Sequence, residues 1–276
     1  MRAGWSRFFH LAEWMAHAGI WTSAAARILW MSAIVGAVAV CAPQRAKAAG
    51  CEFDIQGEGR AAEVLDGRSF RLDDGREVRL LGIEPISADQ GKQALASLLS
   101  GKDVSLRASD DAPDRYGRQA AMVTVAGAAL SVQVALLAQG AAVVSSEVAD
   151  KDCAAILLAA EAEARRLRNG LWASSYVIKN AESPDDILAG IGHFAIVEGK
   201  VVSVRQAGAT TYLNFGRNWT RGFAVTIARR LLPALEAAGM PPKSLENRQI
   251  RVRGWVEGRI GPRIELLRAG QIERLN

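Results

Sequence analysis

Residues 64–85, with the sequence VLDGRSFRLDDGREVRLLGIEP, restrict the fold of this chain more than any other segment. Two Asp-Gly pairs, which begin at Asp66 and Asp74, separate short runs in which apolar and polar residues alternate. Asp-Gly between alternating runs is a strong signal for a tight turn between antiparallel strands. The segment therefore predicts a β-meander that ends at Ile83.

Two arginines are positioned by this local structure. Arg79 lies inside the last predicted strand, and Arg118 follows the bend after Tyr116 in the segment DRYGR at 114–118. Guanidinium groups form paired hydrogen bonds with phosphate and carboxylate groups. We expect Arg79 and Arg118 to converge on one anion, although they come from distant parts of the chain.

These segments resemble the thermonuclease (staphylococcal-nuclease-like) family, whose pattern is close to V-x-D-G-D-T, then V-R-L-x-G-I-D-A-P-E, then D-R-Y-G-R. The resemblance extends from about Glu63 to Trp172. It implies a β-rich fold with helices, built on a small five-stranded barrel of the oligonucleotide/oligosaccharide-binding (OB) type. It also implies that Arg79 and Arg118 hold a phosphate group, with Arg68 and Tyr116 as further substrate-binding candidates.

The chain departs from the family at the acidic positions. In that family the second Asp of D-G-D-T and the Asp of G-I-D-A-P-E bind calcium, and the Glu activates water. This chain has Arg68 and Glu84 at the two calcium positions, and Ser87, or Ile86 if one residue is deleted, at the position of the general base. At about 4 Å and an effective dielectric constant near 20, each unit of charge changes the energy of a bound cation by roughly 4 kcal/mol. Replacing Asp by Arg changes the charge by two units, so we expect no calcium site, and Arg68 would supply positive charge instead.

An active phosphodiesterase is the alternative that the same residues leave open. Its metal site would be rebuilt from Asp66, Glu84 and Asp89, with Asp114 as a further ligand or base, or its hydrolysis would need no metal. Calcium is a cofactor only under this alternative, and otherwise we expect none. The three histidines, at positions 10, 17 and 193, are scattered, so the sequence offers no histidine-based zinc site.

Residues 1–48 have the features of a signal peptide. An apolar run of 15 residues at 28–42 follows several arginines and precedes Ala46-Lys47-Ala48, an A-x-A cleavage pattern. We therefore predict cleavage after Ala48, export to the periplasm or out of the cell, and no stable membrane insertion of the remaining chain. The alternative is an uncleaved leader that anchors the protein to the membrane.

Cysteine usage agrees with export. Cys41 lies in the leader, so the exported chain keeps Cys51 and Cys153. An even pair of cysteines in an oxidising compartment predicts a disulfide. Two unpaired thiols, or a lipoprotein cleavage site immediately before Cys51, are the alternatives.

The chain is predicted to contain a thermonuclease-like OB domain at 49–175, a linker at 176–192 and a second OB-like domain at 193–276. The last segment has five strand-like runs, with an amphipathic helix at 231–239 between the third and the fourth. This order of strands and helix is that of an OB barrel. The prediction of a second OB-like β-barrel rests on this order alone.

In the second domain, the segment RQIRVRGWVEGR at 248–259 alternates aliphatic residues with Arg251, Arg253 and Trp255. Successive side chains of a strand point to opposite faces, so two guanidiniums and an indole would face outward. A stripe of arginine and aromatic side chains is typical of proteins that bind single-stranded nucleic acid. A solvated strand face, with Trp255 packed against the first domain, is the alternative.

Charge is distributed unevenly along the chain. Residues 49–180 carry 15 basic and 19 acidic side chains, whereas residues 181–276 carry 14 and 9, so we expect any basic partner surface in the C-terminal third. The sequence predicts an exported, catalytically degenerate thermonuclease-like protein that binds nucleic acid, a nucleotide or another phosphate-bearing ligand. The alternatives are an active phosphodiesterase or endonuclease, and an envelope protein-interaction module whose arginines pair with Glu84 and Asp114.

Overall fold

The protein is described here from a computed structural model, which describes residues 51, 53–145, 150–218, 220–258 and 260–275. The described residues belong to one compact unit. The predicted signal peptide lies outside them. Within these ranges, no helix combines the length and the apolar character that crossing a bilayer requires.

The first half of the described chain alternates short strands with three helices that pack around them. Its strands are β1 Ile55–Val64, β2 Ser69–Leu72, β3 Glu77–Leu80, β4 Ile83–Glu84, β5 Asp103–Arg107, β6 Arg118–Val125 and β7 Val143–Val144. Its helices are α1 Ala88–Leu99, α2 Val132–Ala138 and α3 Lys151–Leu167.

Five of these strands close into a barrel, in the order β1-β2-β3-β6-β5. Strands β3 and β6 run parallel, whereas the other neighbours run antiparallel. The alternating residues of β2 and β3 send Phe70, Leu72, Val78 and Leu80 into the barrel, where all four are buried. The predicted β-rich fold with an OB-type barrel is thus confirmed for this half.

Helix α3 connects the barrel to the start of the described chain. It begins after Asp150, whose carboxylate accepts a hydrogen bond from the backbone N–H of Cys153 at 2.7 Å. The predicted disulfide is confirmed, because Cys153 is bonded to Cys51. Both cysteines are buried in the core of the first half. The bond therefore holds the residue that precedes β1 against the first turn of α3.

The second half of the described chain is built on one larger sheet. Its strands are β8 Ile178–Asn180, β9 Phe194–Lys200, β10 Ser203–Ala207, β11 Thr210–Asn214, β12 Ala224–Ala228, β13 Gln249–Gly258, β14 Pro262–Leu266 and β15 Ile272–Arg274. Its helices are α4 Pro184–Leu188 and α5 Leu232–Ala237.

The pairing order of the second sheet is β10-β11-β12-β14-β13-β9-β8, with β15 also paired to β13. Strands β12 and β14 run parallel, as β3 and β6 do in the barrel. The pairings form an open path, so a second closed barrel is not confirmed and stays a prediction. The segment predicted as a linker at 176–192 contains β8 and α4. Strand β8 pairs with the edge of β9, and Ile187 of α4 is fully buried, so both elements pack onto the second sheet.

Candidate functional site

Arg79 and Arg118 meet at one carboxylate. Strands β3 and β6 are parallel neighbours, with Arg79 opposite Ala120, so both arginines lie at the same end of the strand pair. The guanidinium of Arg118 donates to Asp114 Oδ2 from Nη2 at 2.8 Å and from Nε at 3.1 Å. Arg79 Nε lies 3.6 Å from the same oxygen. The structure therefore brings the two predicted phosphate-holding side chains together.

The loop 114–118 holds the carboxylate of Asp114 in place. Asp114 Oδ1 accepts hydrogen bonds from the backbone N–H groups of Tyr116 at 2.9 Å and Arg118 at 3.1 Å, and Gly117 adopts a positive φ of 79° to close the turn. Partial burial by itself raises the pKa of Asp114. The hydrogen bonds from the Arg118 guanidinium and from the two backbone groups outweigh this effect and lower the pKa to about 2.

The two positions that bind calcium in the resembled family form an ion pair here. Arg68 Nη1 donates to Glu84 Oε2, and the backbone N–H of Arg68 donates to Asp66 Oδ1 at 2.8 Å. Glu84 lies on β4, is buried, and is held opposite Val143 of β7. The positive charge of Arg68 thus offsets the negative charge of Glu84, which a bound cation would need.

The two candidates for the general-base position, Ser87 and Ile86, are not acidic. Ser87 is the N-cap of α1, with no side-chain hydrogen bond to the helix, and Ile86 is exposed. Asp89 lies in the first turn of α1. In the part of the chain that the structure describes, no three His, Cys, Asp or Glu side chains are grouped as metal ligands. The rebuilt metal site of Asp66, Glu84 and Asp89 is therefore not assembled in this structure.

Tyr116 lies beside Arg118, one of the two phosphate-holding candidates. Its side chain is 64% exposed, and the guanidinium carbons of Arg115 and Arg118 lie 4.7 and 5.1 Å from its ring centroid. These distances are in the range of cation–π contacts. The phenol ring is therefore available beside the arginines as a surface for a planar group.

The prediction that the β13 stripe faces outward is wrong for both of its arginines. Arg253 is buried and donates to Glu161 Oε2 at 2.8 Å and Oε1 at 3.0 Å, and also to Glu273. Arg251 is buried as well, and its Nε donates to Glu198 Oε1 at 2.6 Å. The arginines of β13 are buried against carboxylates of other elements, Arg253 against Glu161 of α3 and Arg251 against Glu198 of β9 and Glu273 of β15.

Trp255 differs from its two neighbours on the stripe. It is 45% exposed and contacts the ring of Phe194 edge-on, with 6.0 Å between the ring centroids. A single half-exposed indole does not form the predicted three-residue stripe. Trp255 therefore remains a binding candidate as a single residue, not as part of a stripe.

Glu161 is a residue that the sequence analysis missed. It lies on the buried face of α3 together with Cys153, Leu157 and Ala164. A carboxylate on the apolar face of an amphipathic helix signals a buried cationic partner, because an unpaired buried charge is strongly unfavourable. The helical spacing of these four residues would have given that signal.

Comparison with protein families assigns part of this site. Residues 86–174 match the family described as Staphylococcal nuclease homologue. The matched segment runs from α1 through the loop 114–118 to Trp172, so it contains Arg118 and Asp114. No curated protein sequence matched the chain. Together with the closed five-stranded barrel, this match shows that the chain contains a thermonuclease-like domain, similar to the Staphylococcal nuclease homologue family over residues 86–174.

Proposed function

We propose that this protein is exported and binds nucleic acid or a nucleotide through its thermonuclease-like domain, without calcium-dependent hydrolysis. One observation carries the binding proposal. Asp114 faces both Arg79 and Arg118, and Arg68 faces Glu84. The three guanidinium groups have the planar donor geometry that suits a phosphate group.

Loss of calcium chemistry follows from Arg68. Its guanidinium lies against Glu84, so a cation at this place would meet a positive charge within contact distance of the carboxylate. A divalent cation would need several oxygen ligands and a net negative environment. Within the proposal, Arg68 stabilises a bound phosphate in place of the metal.

Loss of hydrolysis follows from Ser87. A serine side chain does not take a proton from water at neutral pH, and the described structure has no histidine near it to act as a base. General-base assistance contributes about 100-fold or more to rates of hydrolysis. The proposal therefore assigns binding, and not turnover, to this domain.

Export is supported by the disulfide as well as by the leader. Disulfides form and persist in oxidising compartments and are rare in reducing ones. The Cys51–Cys153 bond lies in the core of the first half. It is consistent with a periplasmic or secreted protein.

The test is a binding and cleavage assay with the full chain. Labelled single-stranded DNA is incubated with calcium and, separately, with a chelator, and both retardation and product length are followed. We expect binding that weakens with salt and no shortening of the DNA in either condition. Chelator-sensitive cleavage would contradict the proposal and favour the phosphodiesterase.

The matched variants are Arg118→Ala and Arg166→Ala. Arg118 contacts Asp114, whereas Arg166 is an exposed arginine of α3 that pairs with Glu163. Loss of one phosphate contact should weaken nucleotide binding by about tenfold, corresponding to a charge-assisted hydrogen bond. Arg118→Ala should show this loss and Arg166→Ala should not.

A protein-interaction module is the second candidate function. The ion pairs favour it, because each of the three arginines contacts a carboxylate within the domain. Such pairs can serve only to hold the barrel and its loops together. Absence of binding to any nucleic acid or nucleotide at low salt would favour this function over the proposed one.

A further inference from the structure

The outer face of the second sheet has a row of polar and aromatic side chains. Arg205 on β10 lies opposite Tyr212 on β11, and Tyr212 lies opposite Thr226 on β12. Neighbouring β12 residues Val225 and Ile227 point the other way and are fully buried. Tyr212 and Thr226 therefore lie on the solvent side of the sheet, where both are half-buried.

Small side chains on β12 form a trough along this face. Strand β12 lies between β11 and β14, and its outward residues are Ala224, Thr226 and Ala228. Strands two positions apart in a sheet are separated by about 10 Å. The larger side chains of β11 and β14 therefore flank a shallow channel whose floor is strand β12.

A cation–π pair bridges the trough. The guanidinium carbon of Arg263 on β14 lies 5.8 Å from the ring centroid of Tyr212 on β11. Arg263 is in register with Ala224, whose small side chain leaves room for this crossing. A tyrosine ring and a guanidinium plane are both groups on which nucleic-acid bases stack.

Positive charge surrounds the same face. The loop between β11 and β12 carries the exposed Arg217 and Arg221. The loop packs closely against the turn before Arg263. A Cβ atom added at Gly261 would lie only 3.0 Å from the carbonyl oxygens of Thr220 and Gly222. At the other end, the exposed Arg230 lies 3.9 Å from Glu265, which is opposite Thr226 and places one carboxylate on the same face between Arg230 and Arg263.

The ion pairs of Arg251 and Arg253 on β13 do not neutralise the positive charge of the C-terminal segment. Residues 181–276 carry 14 basic and 9 acidic side chains. Arg251 and Arg253 are matched by Glu198 and Glu273 of the same segment, so the excess of positive charge belongs to the remaining residues. An anionic partner is therefore favoured over a neutral one.

We infer that this face, defined by Arg205, Tyr212, Thr226 and Arg263, is a second site that binds single-stranded nucleic acid. Bases stack on Tyr212 and Arg263 above the floor of β12, and the backbone phosphates face the surrounding arginines. The inference rests on the proposed binding of nucleic acid, but it uses residues far in sequence from Arg79 and Arg118. It replaces the β13 stripe, whose two arginines are buried, with a partly exposed site on the other strands.

The experiment measures the affinity of the full chain for a labelled oligo(dT) of about 15 nucleotides. Stacking contributes about 1–3 kcal/mol per base, so Tyr212→Ala should weaken binding by about 5- to 150-fold. Tyr212→Phe keeps the ring and should retain the affinity. A duplex of the same length should bind more weakly than the single strand, because its bases are not available for stacking.

Arg263 and Thr226 provide matched charge controls. Arg263→Lys keeps the charge without the plane, so it should weaken binding while leaving the salt dependence unchanged. Arg263→Ala removes both the plane and the charge, so it should weaken binding at least as much as Arg263→Lys. Thr226→Glu should bind more weakly than Thr226→Gln, which has the same size and no charge.

Three further measurements distinguish the outcomes. Arg268→Ala removes an exposed arginine outside the face and should bind like the wild type, and thermal melting of each variant shows that it is folded. If Tyr212→Ala and Arg263→Ala bind like the wild type while Arg118→Ala binds more weakly, this inference is wrong and the proposed function stands. If the wild type binds a nucleotide but no single-stranded nucleic acid at low salt, this inference is wrong and the proposed function stands; if it binds neither, both are wrong.

Discussion

Arg253 on β13 and Glu161 on α3 form a two-contact ion pair across the boundary between the two halves, and each side chain is only 1% exposed. Arg253 also donates to the carbonyl oxygen of Val144 at 3.2 Å and to Glu273. Burial by itself lowers the pKa of Arg253, but the charges and hydrogen bonds of Glu161 and Glu273 outweigh it and raise the pKa. Arg253 therefore keeps its positive charge inside the protein.

The first prediction is that Arg253→Met destabilises the protein strongly. It leaves the carboxylate of Glu161 buried without its main partner, and breaking a buried pair in this way costs about 3–5 kcal/mol. Urea denaturation should show a loss of that size in the free energy of unfolding. Arg166→Ala, which removes an exposed pair, should lose less than about 1 kcal/mol.

The double change Arg253→Met with Glu161→Leu is the control for this prediction. Replacing both charges by apolar groups of similar volume is often neutral or stabilising, so most of the lost stability should return. Equal stability of Arg253→Met and the wild type would show that the pair does not hold the two halves together.

The second prediction concerns the disulfide. Cys51 and Cys153 are 102 residues apart, and closing a loop of about 100 residues restricts the unfolded chain by up to about 4–5 kcal/mol. Reduction, or Cys51→Ala with Cys153→Ala, should lower the free energy of unfolding by about 2–5 kcal/mol. Peptide mapping without reductant should recover the two cysteines in one linked fragment, and two free thiols in protein prepared from the periplasm would refute the bond.

The third prediction is that millimolar calcium leaves the melting temperature of the wild type unchanged. Arg68 offsets the charge of Glu84, so calcium gains no binding energy in the folded state. Arg68→Asp with Ser87→Glu restores the acidic residues of the family pattern, and calcium should then raise the melting temperature by a few degrees. Arg166→Asp makes the same charge change elsewhere and should stay insensitive to calcium.

The fourth prediction concerns acid. The pKa of Asp114 falls from 3.8 to about 2 on folding, so its ionised form stabilises the folded protein above pH 3.8. That contribution is lost as the pH falls through about 2. Asp114→Asn should therefore lower the melting temperature near neutral pH, and the difference from wild type should shrink below about pH 4. The group is partly exposed and screened, so the effect should be below about 1 kcal/mol.

The barrel was predictable because its signals are local. Asp-Gly turns and alternating runs give β2 and β3 directly, and Arg79 and Arg118 meet because β3 and β6 are parallel neighbours. The disulfide followed from an even cysteine count. Each of these inferences depends on short segments or on chemistry that does not require knowledge of the packing between distant elements.

The stripe on β13 was mispredicted for the opposite reason. Period-two alternation separates the two faces of a strand, but it does not tell what covers each face. Carboxylates of α3, β9 and β15 enclose Arg251 and Arg253, and in the sequence only Glu161 on the apolar face of α3 indicated this. The exposed face of β11 and β12 had no comparable periodic signal, because Arg263 reaches Tyr212 only through the parallel pairing of β12 and β14.

The ion pair of Arg253 and Glu161 also determines how this chain can be divided. A fragment that ended near residue 176 would keep Glu161 and the carbonyl group of Val144 while losing their common donor. Such a fragment should aggregate or unfold, even though its barrel is complete. The thermonuclease-like half and the sheet that follows it should therefore be inherited together, because neither half satisfies the buried charges alone.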